Sequence, residues 1–74
     1  MKNLSGYTYF MVTAKLLFRG FQFRSEISSD IEEWINPDTC KIFIIKKSFD
    51  FYSEEELFDI IEQAGISVKE FINI

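Results

Sequence analysis

The chain has 74 residues, a net charge of −4, no histidine and a single cysteine. That length makes one domain, 1–74, near the lower limit for independent stability. The missing histidine excludes Ser-His and Cys-His catalysis and histidine-ligated metals, and one thiol excludes an intrachain disulfide.

Aromatic residues are abundant for this size: nine Phe, three Tyr and one Trp, in a chain that is 47% hydrophobic. A core this small hardly encloses them all. Some rings are expected at the surface, or under a partner or a second copy.

In chain order, Met1–Gly6 reads as a polar lead-in. Phe10–Ile27 predicts a β-hairpin. Even positions Phe10, Val12, Ala14, Leu16 and Phe18 make one apolar face, and Phe21, Phe23 and Ile27 continue it on the return. With Arg19-Gly20 as a two-residue turn, Phe18 meets Phe21, Leu16 meets Phe23 and Val12 meets Ile27. A one-residue slip would send one set to the wrong side. The opposite face then puts Lys15 across from Arg24, with Arg19 at the tip and Tyr7 and Tyr9 on the same side.

Ser29–Asn36 fits a helix capped by Ser29 with Glu32 completing a capping box, or a strand ending in an Asn-Pro-Asp-Thr turn. The helical signals are more numerous, and Pro37 ends either element. Cys40 reads as a small core residue opening Lys41–Lys47, a run apolar on both faces that suits a central strand. Ser48–Tyr52 leads into the clearest helix start. Ser53 is the cap, Glu56 completes the box, Tyr52 staples against Leu57, and three glutamates favour the helix dipole. Leu57, Phe58, Ile60, Ile61 and Ala64 form its apolar face and Gly65 stops it. Ser67 and Glu70 repeat the box, predicting a second short helix, with an edge strand over Val68–Ile74 as the other reading. Together these elements predict an α+β fold: a small two-layer domain, an antiparallel sheet of three or four strands covered on one face by the Leu57–Ala64 helix.

Functionally, the carboxylates Glu32/Glu33 and Glu54–Glu56 are capping and solubility features rather than a catalytic pair, so an enzyme is not expected, nor a cofactor or metal. The scattered glycines make no phosphate loop. Residues 1–25 carry Lys2, Lys15, Arg19 and Arg24 and no acid, whereas 53–74 hold six acids against Lys69. Such a bipolar chain is suited to orienting a charged partner.

Two patterns resemble nucleic-acid binders. Arg19-Gly20-Phe21-Gln22-Phe23 resembles the start of the aromatic strand of RNA-recognition motifs. It departs from them at Gln22, Arg24 and Glu26, and the hairpin register turns both rings into the core. Leu57–Phe71 resembles a helix-turn-helix, yet its second helix would bring only Lys69 and Glu70 to a groove, behind a glutamate-rich first helix.

The reading that remains is a small non-enzymatic protein-binding module that occludes a partner. Tyr7, Tyr9, Lys15, Arg19 and Arg24 form its partner-binding face, because an acidic protein surface would relieve the Lys15/Arg24 repulsion. The same face allows a homodimer through the acidic helix of a second copy. RNA or single-stranded nucleic acid is the alternative ligand, disfavoured by net charge. The Phe- and Ile-rich, Ala-poor composition suggests a phage or mobile-element inhibitor or antitoxin. No membrane span or secretory leader is read, so the expected location is cytoplasmic.

Overall fold

The computed structural model describes residues 4–47 and 50–74. Along the chain run α1 (Tyr9–Phe18), β1 (Gln22–Ser28), β2 (Ile31–Asn36), β3 (Lys41–Lys46), α2 (Glu54–Ala64) and α3 (Val68–Ile72). The strands form one antiparallel sheet in the order β1-β2-β3, and the helices supply the second layer of an α+β domain.

The first element is a helix, which corrects the expected strand over Phe10–Phe18. Thr8 caps it, accepting a hydrogen bond from the Met11 N–H at 3.3 Å. Val12, Thr13 and Leu16 turn inward at helical spacing. Gly20, at φ 91°, stops it. The Gly20 N–H donates to the Leu17 carbonyl and the Phe21 N–H to that of Leu16, both at 3.0 Å, the Schellman pattern. Arg19-Gly20 is therefore a helix stop rather than a hairpin turn. A glycine with positive φ serves both purposes, and period 2 and period 3.6 coexist in this segment.

The hairpins lie one element further on. β1 and β2 are joined across Ser29-Asp30, with Ser28 opposite Ile31, Phe23 opposite Trp34 and Glu26 opposite Glu32. Register shifts between Phe23 and Ser25 and between Glu26 and Ser28 leave Arg24 and Ile27 as extra residues in β1. The Ser29–Asn36 segment is thus turn and strand, not the helix its capping signals suggested. Trp34 reaches the core by strand alternation, and Ile31 and Ile35 lie on the opposite face of the sheet.

β2 is the central strand, and β3 is an edge rather than the centre, which corrects the reading of Lys41–Lys47. Phe43 and Ile45 are buried, while Ile42 and Ile44 remain exposed on the outer face. Part of the β3 edge is occupied: the Ile44 N–H donates to the Gln63 side-chain oxygen of α2 at 3.3 Å. Cys40 is exposed in the Pro37–Cys40 turn with φ 60°, so it is a turn residue and not part of the core.

The core joins Val12 and Leu16 of α1, Trp34, Phe43 and Ile45 of the sheet, Leu57, Ile60, Ile61 and Ala64 of α2 and Phe71 of α3. Leu4 also belongs to it, so the lead-in is not wholly polar. The expected caps are present: Ser53 with Glu56 and Ser67 with Glu70 each form a complete capping box, and Gly65 takes φ 78° at the end of α2. Ser48 and Phe49, at the head of the expected run into α2, lie outside the described residues.

Candidate functional site

The five residues expected to share one sheet face are dispersed. Lys15 lies on α1 and Arg24 on β1, so they do not oppose each other. Lys15 Nζ donates to the Ile74 carbonyl oxygen at 3.1 Å and sits over the rings of Tyr7 (5.6 Å) and Phe71 (5.4 Å). Arg19 pairs with Glu70 at 3.2 Å, and Arg24 with Glu33 at 2.5 Å. The fold brings Tyr7 and Lys15 together around Phe71. Tyr9 and Arg24 are employed elsewhere, on Glu32 and Glu33.

Glu32 is the most unusual polar group. It is only 6% exposed, on the helix-covered face of β2. Its Oε1 accepts hydrogen bonds from the Tyr9 hydroxyl at 2.6 Å and the Trp34 Nε1–H at 3.0 Å. Lys47 Nζ lies 3.7 Å from its Oε2 and 3.1 Å from Glu26, the residue opposite Glu32 in the sheet. Lys47 therefore offsets a like-charge cross-strand pair. Burial, reinforced by the Glu32 carboxylate, holds the Tyr9 hydroxyl well above the usual tyrosine range. The Tyr9 donor ties α1 to the sheet, a structural use of a buried carboxylate.

Among the described residues no three acids or thiols converge on a metal position. Nor is any helix among the described residues long and apolar enough to cross a membrane. An open depression of about 320 Å³ lies between β3 and α2. Its polar lining is already engaged in part: Glu56 caps Ser53 and Gln63 receives the Ile44 N–H.

What stands out is the outer side of α1. Phe10 is 78% and Phe18 80% exposed, with Met11 and Leu17 about half exposed. At about 100° per residue, Leu17, Phe10, Ala14, Phe18 and Met11 span an arc of about 120° centred on Ala14. That arc carries no charge. Lys15, beside it, is directed to Ile74 and the Tyr7 and Phe71 rings. A helix apolar on every side normally has neighbours on every side; α1 has them on one.

This stripe escaped a strand-based reading, which placed Phe10, Ala14 and Phe18 in the core. Two signals pointed to it: the excess of aromatic residues, and the spacing of Tyr9, Val12, Thr13 and Leu16 among good helix formers.

No protein-family model matches the chain, and neither does any curated protein sequence.

Proposed function

We propose that the chain is a small, non-enzymatic protein-binding module whose docking surface is the outer face of α1. The observation that carries this is the pair of phenylalanines, Phe10 and Phe18, each about four-fifths exposed on one uncharged helix face. Exposed rings of this size are costly in water and typical of interface centres, where aromatic residues anchor binding. Helix-in-groove recognition uses this spacing of apolar anchors.

The module acts by covering a surface of its partner, the mode of an inhibitor or antitoxin of a phage or mobile element. Protein is favoured over nucleic acid because Arg19, Arg24 and Lys47 are paired with carboxylates and Lys15 with a carbonyl. Phosphates would have to displace those partners. Tyr7, Tyr9, Lys15, Arg19 and Arg24 support the helix and its surroundings in this reading, and the contact itself belongs to Phe10, Met11, Leu17 and Phe18.

The test compares wild-type chain with the double variant Phe10→Ser/Phe18→Ser in two capture assays: from a lysate of the source cell, and with an untagged copy of the chain. Loss of association with a retained circular-dichroism spectrum is the expected result. Association unchanged in both assays would remove α1 as the docking face.

A further inference from the structure

We infer that the protein seated on the α1 stripe is a second copy of the same chain, packed as an antiparallel helix pair with its two-fold axis at Ala14. The inference rests on the reading of α1 as a docking face and names its occupant.

The first argument is symmetry. A two-fold axis through Ala14 pairs residues whose numbers are equidistant from it. Phe10 then meets the partner's Phe18, Met11 meets the partner's Leu17, and Ala14 meets its own equivalent. The order Phe-Met-Val-Thr-Ala-Lys-Leu-Leu-Phe thus repeats Phe at 10 and 18 and sets an apolar Met at 11 against an apolar Leu at 17, symmetric about Ala14 in chemical type. An isologous interface needs this self-complementarity, whereas a stripe evolved against an unrelated groove has no reason to repeat itself about its centre.

The second argument is shape and charge. Ala14, the smallest residue of the arc, occupies the axis, where two helices must approach to about 8–10 Å. A shallow apolar depression of about 240 Å³ lies beside it, lined by Ala14, Lys15, Phe18 and Ile74. In the antiparallel arrangement the partner's Phe10 arrives next to Phe18 and this depression. No like charges meet along the stripe, and the two helix dipoles oppose.

The third argument is area. At about 150–250 Å² per aromatic side chain, the two rings with Leu17 and Met11 offer on the order of 500 Å² per chain. Two copies therefore bury on the order of 1,000 Å² before any rim, about the threshold of a specific interface.

The test uses the full chain and its mass in solution, by light scattering and sedimentation over a range of concentrations. Wild type is expected to be a dimer at micromolar concentration. Phe10→Glu alone and Phe18→Lys alone should each weaken dimerisation about a hundred-fold or more, since each homodimer buries two unpaired charges. Mixing the two variants in equal amounts should restore the dimer, because the antiparallel pair sets Glu against Lys at one end and Phe against Phe at the other.

A parallel pair would set residue 10 against residue 10 and form no Glu–Lys pair on mixing, so a mixture that stays monomeric overturns the antiparallel arrangement. A monomeric wild type at several hundred micromolar overturns the dimer itself. If that monomer still loses capture of another protein on Phe10→Glu, the docking-face reading survives without the dimer. A dimer indifferent to both substitutions removes the two together. Both positions are exposed, and circular dichroism checks that each variant is folded.

Discussion

The helices α1 and α2 differ in what folding leaves undone. α2 buries Leu57, Ile60, Ile61 and Ala64 and turns Glu54, Glu55, Asp59 and Glu62 to water, with Phe58 its one large exposed apolar residue. It has a complete capping box and three acids in its first turn. α1 buries Val12, Thr13 and Leu16, has no acid in its first turn, and turns Phe10, Met11, Leu17 and Phe18 outward. α2 satisfies its requirements within one chain, whereas the outer face of α1 remains in water until something covers it. A polar outer face lets a helix be finished by its own domain; an apolar one leaves part of its surface unburied in the single chain, the surface that the proposed association would cover.

The sharpest break in this comparison comes from the inner faces, where the two helices should behave alike. Leu16→Ala and Leu57→Ala each remove a fully buried side chain and should each cost about 2–5 kcal/mol in denaturant unfolding. A loss for Leu16→Ala well below that of Leu57→Ala would mean that α1 is only loosely attached. Phe10→Ser, by contrast, should change the stability of the isolated chain by less than about 0.5 kcal/mol.

Next in size is the tie from α1 to a buried carboxylate. Tyr9→Phe deletes the hydrogen bond to the buried Glu32 carboxylate and should cost about 1.5–3 kcal/mol, the range for bonds to charged groups. It should also flatten the alkaline limb of stability. Burial pushes the Tyr52 hydroxyl up to about 12, and Tyr9 is raised in the same sense. Both therefore hold protons in the folded chain that the unfolded chain releases near pH 10. The stabilisation is complete below about pH 10 and is lost as pH rises toward the folded values. Melting temperature measured from pH 8 to 12 should fall along that window, less steeply in Tyr9→Phe. A flat profile in the wild type would contradict the burial of both hydroxyls.

Smaller still are the helix starts. Ser53→Ala breaks a reciprocal capping box and should cost about 1 kcal/mol, with Thr8→Ala costing less because Thr8 makes a single longer contact. Equal losses in thermal melts would erase this difference between the helices. The smallest effect is expected in the turn before β3. Cys40→Gly relieves a left-handed backbone and should be neutral or stabilising by up to about 1 kcal/mol. A clear destabilisation would mean that the exposed thiol has a contact role.

The elements that were legible in the sequence are those marked by local chemistry. Ser53/Glu56 and Ser67/Glu70 announce two helix starts, because a capping box is formed by residues three apart and needs nothing distant. Gly65 announces a stop for the same reason. Glu56 and Glu70 are held below the usual carboxylate range, first by the backbone N–H groups of Ser53 and Ser67. The surplus of aromatic rings, with some expected at the surface, was legible from composition alone.

The choice between strand and helix for 9–18, and between helix and strand for 29–36, was decided by tertiary structure. The first segment satisfies both apolar periods, and its outer face is apolar enough to mask the inner one. The second carries helix-capping residues, yet pairs β1 on one side and β3 on the other, and those ladders outweigh a local cap. Glu32, which could pass for a capping carboxylate, became the buried acceptor of Tyr9 and Trp34 because strand alternation turns it inward. The candidate site moved with that decision. Lys15, Arg19 and Arg24 formed one basic face only in a hairpin that does not exist: Lys15 and Arg19 found partners at the far end of the chain, Ile74 and Glu70, and Arg24 found Glu33 on the neighbouring strand. Composition established that aromatic surface would remain. Which rings carry it depended on long-range packing, since a helix sends every third or fourth residue to the core and a strand every second.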